Sequence, residues 1–175
     1  YPVKKGNAAM FNTTIATQIY AKICFEATNS QKKIIENLSE YLSDDDFSRI
    51  FVLNGFAGTG KTTLIAALVA ALKELRIKPV LLAPTGRAAK VLARYCGEQA
   101  LTIHKRIYRQ RTNADYESKF SLDFNREQGA VFIVDEASML SDSTGDGALF
   151  GSGSLLEDLV SYVRIGGVKA GDSVK

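Results

Sequence analysis

Cysteine is scarce in this chain. Cys24 and Cys96 are the only two, too few and too far apart for a disulfide framework or a Cys-x-x-Cys motif. Two isolated thiols fit a reducing, cytoplasmic compartment. A single histidine, His104, adds an argument against a zinc site built by the protein alone. Long apolar runs are missing as well. The longest, 64–72, has nine residues, well short of the roughly 20 that a membrane-spanning helix needs. The residues ahead of Met10 carry charge with no apolar core behind it, so no signal peptide is expected there, and Tyr1 is no initiator. Neither sign of charge dominates: 22 Lys and Arg face 19 Asp and Glu, and a net +3 is too small to name a partner. Internal repeats and low-complexity tracts are also lacking.

What remains is 175 residues, 46% hydrophobic and 23% charged, the size and composition of one soluble globular domain. Its charge is unevenly spread. Between Pro84 and Arg111 lie Arg87, Lys90, Arg94, Lys105, Arg106, Arg109 and Arg111 against Glu98 alone. Such a stretch is either a solvated face or a strip that binds a polyanion.

Periodicity places the elements. Ile15, Ile19 and Ile23, with Ala16 and Tyr20, predict an amphipathic first helix. Thr28 stands three residues before Gln31, the spacing of a capping box. It opens a helix with Ile34, Ile35, Leu38, Tyr41 and Leu42 on one face, closed by the polar run 43–46. A short β-branched and aromatic run at 50–53 predicts a first strand. A glycine-rich turn follows, then a helix carrying Leu64, Leu68, Leu72 and Leu75 beside Ile65 and Val69. Residues 80–83 predict a second strand, and Pro84, Thr85 and Gly86 turn into a helix with Val91 and Leu92. The polar segment 112–128 has room for a short hairpin, and 130–134 predicts a third strand. Gly145, Gly147, Gly151 and Gly153 mark a loop, after which Ser154 and Glu157 cap a last helix through Leu155, Leu156, Leu159, Val160 and Val163. Strands and helices in alternation, with nearly continuous apolar strands, predict an α/β fold whose parallel sheet has helices on both faces.

The strongest chemical signal is Gly55-Phe56-Ala57-Gly58-Thr59-Gly60-Lys61-Thr62, a full G-x-x-x-x-G-K-T between a predicted strand and a long helix. Phosphate oxygens need converging backbone N–H groups, so side chains must be small and glycine must supply positive φ. The N-terminus of the following helix adds free donors and a positive dipole end. Gly55, Ala57, Gly58, Thr59, Gly60, Lys61, Thr62 and Thr63 therefore form the candidate nucleotide cradle. Lys61 supplies the charge for the β- and γ-phosphates, and Thr62 a hydroxyl for Mg²⁺.

Such a loop needs a carboxylate at the end of a neighbouring strand. The run 131–134 supplies it, ending in Asp135 and Glu136 where α/β sheets place their ligands. Asp135 would hold Mg²⁺ through water, and Glu136 would polarise the attacking water. An acidic pair after a strand also suits a plain helix N-terminus. Paired with the loop, it favours hydrolysis over simple phosphate transfer to a small molecule.

Four ordered segments carry a family resemblance: the loop 55–62, Ala83-Pro84-Thr85-Gly86-Arg87-Ala88-Ala89, Thr102-Ile103-His104, and Val134-Asp135-Glu136-Ala137-Ser138-Met139. Together they resemble superfamily 1 DNA helicases of the RecD/Dda-like type, over roughly residues 25–163. The resemblance implies an N-terminal RecA-like P-loop ATP-binding domain at 25–165, with 1–24 as an extension and 166–175 as an irregular tail. It implies ATP and Mg²⁺ as cofactors, and catalytic roles for Lys61 and Glu136. Phe25, Thr28 and Gln31 resemble the adenine-recognising Q-motif, with the Gln31 amide reading the base edge. That is compatible with a purely structural capping box. Pro84, Thr85, Gly86, Arg87, Thr102 and His104 match segments that contact single-stranded DNA. Thr102 could equally be a helix cap and His104 an ordinary packed residue. Tyr95 and Tyr108 suit base stacking and helix core alike.

The family's motors work with two RecA-like domains and move 5′→3′ on the strand, without a membrane. Here Gly171-Asp172 echoes only the start of the family's next motif, 166–170 does not predict a buried strand, and a second domain is expected to be missing. The chain alone is expected to be weakly active at most. Two alternatives stand beside this expectation, a stand-alone P-loop ATPase or kinase acting on a small molecule and a non-catalytic nucleotide-binding module.

Overall fold

The computed structural model describes residues 5–44, 46, 49–56, 58–111, 119–127, 129–140 and 150–165. Ala57, Gly145, Gly147 and the tail 166–175 lie outside the described residues, as does much of 112–128. The chain divides into two compact units, Tyr1–Pro79 with Tyr95–Gly97, and Val80–Arg94 with Glu98–Lys175.

The first unit is helical. Helix α1 (Lys5–Lys22) packs against both α2 (Asn29–Ser43) and α3 (Lys61–Glu74). Ile15 and Ile19 are fully buried, as their four-residue spacing requires of one helix face. From α2 come Ile35, Leu38 and Leu42, and from α3 Leu64, Leu68, Val69 and Leu72, all buried. The Lys22 ammonium meets the Glu74 carboxylate at 2.8 Å, a cross-link between α1 and α3. The capping box forms in full: Thr28 Oγ1 accepts from Gln31 N at 3.3 Å, and Gln31 Oε1 accepts from Thr28 N at 2.9 Å.

The expected strand at 50–53 does not form. That segment is irregular, and Ile50 and Val52 are 60% and 80% exposed. Strand propensity expresses side-chain packing on a paired, half-buried surface, and no ladder partner for this run is found among the described residues.

The second unit holds a three-stranded parallel sheet in the order β2-β1-β5, formed by β1 (Pro79–Ala83), β2 (Ala100–Thr102) and β5 (Val131–Val134). Strands β1 and β2 run parallel, with Ala83 opposite Thr102, and the Asp135 N–H reaches Leu82 O at 3.0 Å. Strand β2 was not legible in the sequence, and Ala130 stops short of β5 although it is fully buried. Side chains alternate along β1. Val80 and Leu82 join a core with Ile103, Ile107, Leu159 and Tyr162, while Leu81 and Ala83, of opposite parity, are just as buried. Both faces of β1 are thus covered.

Helix α4 (Gly86–Cys96) buries Ala89 and Leu92 and leaves Val91 47% exposed, so Val91 is not a core residue. The one-turn helix α5 (Ile103–Ile107) leads into β3 (Tyr108–Arg111), which pairs antiparallel with β4 (Lys119–Leu122). Helix α6 (Leu155–Ile165) starts as expected, with Ser154 Oγ accepting from Glu157 N at 3.3 Å. Leu159 and Tyr162 face the core, whereas Leu156 is 40% exposed.

Candidate nucleotide site and strand ends

In the first unit the glycine-rich loop runs directly into α3. Gly58 (φ +78°) and Gly60 (φ +81°) both occupy the left-handed region, where a side chain is strained. A Cβ at Gly60 would also lie 3.0 Å from Gln31 Nε2, and one at Gly55 would lie 3.1 Å from Thr59 Oγ1. Glycine at 60 is therefore required by φ, and a Cβ there would also crowd the Gln31 amide. Helix α3 begins at once, with Leu64 N donating to Gly60 O at 2.9 Å.

The loop is cross-braced from within. Phe56 O accepts from Thr59 Oγ1 at 2.8 Å and from Lys61 Nζ at 2.7 Å, and Lys61 Nζ also donates to Gly55 O. Gln31 Nε2 reaches Thr59 O at 3.4 Å, joining α2 to the loop. Together these elements line an open cavity of about 640 Å³, within the range of small-molecule and cofactor sites. Phe25, Ile34, Leu53 and Leu64 give it apolar walls, and Gln31, Asn54, Thr59, Lys61 and Thr63 give it polar ones.

A nucleotide suits this lining. Its base needs apolar contact, and its phosphates need loop amides and a mobile cation. The glycines leave the backbone bare where a Cβ would fill the cradle. Of the predicted cradle residues, Gly55, Gly58, Thr59, Gly60, Lys61 and Thr63 line the cavity together with Gln31, and Thr62 sits half-buried in the first turn of α3. The lining residues that sequence reasoning missed are Ser30, Ile34, Leu53, Asn54 and Leu64. Ile34 had been read only as helix core, and nothing in a single sequence marks a wall residue as such.

In the second unit, the carboxyl ends of β1, β2 and β5 gather the other predicted residues. Pro84, Thr85, Gly86 and Arg87 follow β1, Thr102 and His104 sit at and just past the end of β2, and Asp135 and Glu136 follow β5. Asp135 is half-buried, and its Oδ1 accepts from Glu136 N at 3.0 Å. Glu136 is exposed and holds φ +54°. A left-handed non-glycine residue costs about 1–3 kcal/mol, and such strain concentrates at functional sites.

Two hydroxyls of this group do structural work. Thr85 Oγ1 accepts from Ala88 N and Thr102 Oγ1 from Lys105 N, both at 3.2 Å, capping α4 and α5. Arg87 is exposed. The His104 ring packs edge-on against Phe150 and near Tyr108, and Phe150 stacks on Phe120. This aromatic cluster was invisible in the sequence, since its members come from three separated segments.

Tyr108 does not reach out as a stacking platform. Its hydroxyl donates to Asp158 Oδ2 at 2.6 Å, and the same oxygen accepts from Ser152 N at 2.9 Å. Burial first, then the hydrogen bond to Asp158 and its charge, raise the phenol above its ordinary value. The folded state holds this proton more tightly than the unfolded chain does. The associated stability is complete below about pH 10 and is lost as pH rises through the folded pKa. Tyr108→Phe should therefore lower the urea midpoint at neutral pH and flatten its decline above about pH 10. An unchanged alkaline decline in the variant would assign that decline to other groups.

Comparison with known proteins gives the family. Residues 26–149 match a family described as AAA domain. Over 114 residues the chain is 29% identical to the ATP-dependent RecD2 DNA helicase of Deinococcus radiodurans, a stretch that makes up 65% of this chain and 15% of that protein. The RecD-like resemblance carried by the four sequence motifs is borne out. Among the described residues, no helix is long and apolar enough to cross a membrane.

Proposed function

The chain belongs to the AAA domain family, and from that premise we propose that it is the ATP-binding domain of a RecD-like DNA helicase. The observation that carries this reading is the cavity in which the glycine loop, Lys61 and the Gln31 helix converge. ATP is the proposed ligand, with Mg²⁺ as its counterion. Among the described residues no cluster of His, Cys, Asp or Glu forms a metal cage. The proposed Mg²⁺ ligands, the Thr62 hydroxyl and the Asp135 carboxylate, are hard oxygen donors, and Mg²⁺ characteristically takes one or two protein oxygens plus phosphates and water. When bound, the ion would neutralise charge on the phosphates.

Lys61 orients and neutralises the phosphates, and Glu136 directs water at the γ-phosphorus. The strand ends carry the nucleic-acid side of the proposal. Pro84, the backbone donors of Thr85 and Gly86, Arg87, Thr102 and His104 would follow a single strand of DNA, with phosphate contacts dominating affinity. By resemblance the motor moves 5′→3′ in the cytoplasm, and a second RecA-like domain completes its catalytic site.

This chain on its own should bind adenine nucleotide and show almost no DNA-stimulated hydrolysis or unwinding. Robust unwinding by the purified chain would contradict the proposal. Arg87→Ala should weaken single-stranded DNA binding and reduce the slope of log K against log salt by roughly 0.7, one phosphate contact on a single strand. Nucleotide affinity should stay unchanged. Joint loss of both would mean that the two sites are not separable.

A further inference from the structure

We propose that the loop 150–153 is the seat that orients the His104 ring for its contact with a nucleic-acid strand, with Phe150, Gly151 and Asp158 as positioning residues. This rests on the proposed contact of His104 with single-stranded DNA. The imidazole torsion is broad by itself, so its neighbours decide where the ring nitrogens point. Here those neighbours are rings. Phe150 meets the His104 ring edge-on with centroids 5.1 Å apart, and Tyr108 lies 5.6 Å away. Among the described residues no hydrogen bond holds either ring nitrogen. Packing thus fixes the ring while its N–H stays available as a donor.

Phe150 is itself fastened on two sides. Its ring stacks on Phe120 at 4.5 Å, its backbone bridges to Phe120, and Gly151 N donates to Phe120 O at 2.9 Å. Asp158, 7% exposed, closes the other side. Its Oδ2 accepts from Tyr108 Oη at 2.6 Å and from Ser152 N at 2.9 Å, so one oxygen ties β3, the loop and α6 together. A carboxylate at such depth needs partners of this kind. Gly151 leaves the room for it. At φ +47° a side chain is strained, and a Cβ would run into Asp158 Oδ2 and lie 2.7 Å from Tyr108 Cε1. A buried carboxylate, a left-handed glycine and three aromatic side chains are thereby gathered around the one histidine of the sequence.

Because His104 is the only histidine, its imidazole proton resonances are identified at once by NMR. These resonances are recorded for wild type, Phe150→Leu and Gly151→Ala, and binding of a single-stranded oligonucleotide is titrated for the same chains with and without His104→Ala. Urea denaturation checks that each variant is folded under the binding conditions. Phe150→Leu removes one ring and keeps an apolar side chain. Gly151→Ala keeps every ring and drives the loop off Asp158. Each should displace the His104 resonances and weaken oligonucleotide binding roughly fivefold, the worth of one hydrogen bond. His104→Ala should lose at least as much, and in its background neither loop variant should lose more. Equal losses with and without His104 would make the cluster a support of the whole unit and overturn the inference. Displaced resonances with unchanged binding would overturn it too, as would resonances that stay in place. Wild-type binding in His104→Ala alone would sink the DNA contact of His104, and the inference with it, a failure distinct from the others because no loop variant is needed to see it.

Discussion

Lys61→Ala is expected to abolish measurable binding of adenine nucleotide, a loss of at least about 100-fold, while the fold is retained. The loss follows from what the ammonium does. It is the cation of the glycine loop, and charge-assisted bonds to phosphate are each worth about 1.5–3 kcal/mol. Retention of the fold follows from what it touches. Lys61 sits in the first turn of α3, outside the buried stripe of Leu64, Leu68 and Leu72. Its observed partners are the loop carbonyls of Gly55 and Phe56. Titration with a fluorescent ATP analogue, alongside thermal denaturation, checks both halves. Unchanged affinity in the variant would refute the placement of the site.

Leu82→Ala should destabilise the second unit by about 2–5 kcal/mol, the usual cost of truncating a fully buried leucine. Leu82 is completely buried, lies in the central strand of β2-β1-β5, and accepts the Asp135 N–H at its carbonyl. Its side chain belongs to the core with Ile103, Ile107 and Leu159. That core fixes where β1, β2 and β5 end, and with them Thr85, Thr102 and Asp135. Urea denaturation should show the loss of stability, and single-stranded DNA binding should fall with it. A change below about 1 kcal/mol would mean that the site relaxes around the cavity, against the packing described here.

Much of this was legible in the sequence, for reasons that differ by element. Helix α2 was readable because its start is chemical: the Thr28 and Gln31 pair formed both of its expected hydrogen bonds. Helix α3 was readable because a four-residue leucine spacing admits one buried face, and the glycine loop because its φ values demand the residue type. The run 50–53 misled because its β-branched residues express a preference that only a paired neighbour can realise. Strand β2 has three residues, too few to show a period. The bond from Gln31 to Thr59, like the His104, Tyr108, Phe120 and Phe150 cluster, joins distant positions that no local pattern connects. Thr102 was ambiguous in sequence, whereas Thr85 was read only as part of a DNA-contacting segment. Their hydroxyls accept the cap bonds of α4 and α5, and each keeps its O–H to donate to a phosphate.

The measurement that bears most directly on the central claim is titration of a labelled single-stranded oligonucleotide into this chain across a range of salt concentrations. Binding should weaken steeply as salt rises and weaken further in Arg87→Ala. Absence of single-strand binding at low salt, together with nucleotide-dependent phosphate transfer to a small molecule, would contradict that claim and make this chain a kinase-like P-loop enzyme.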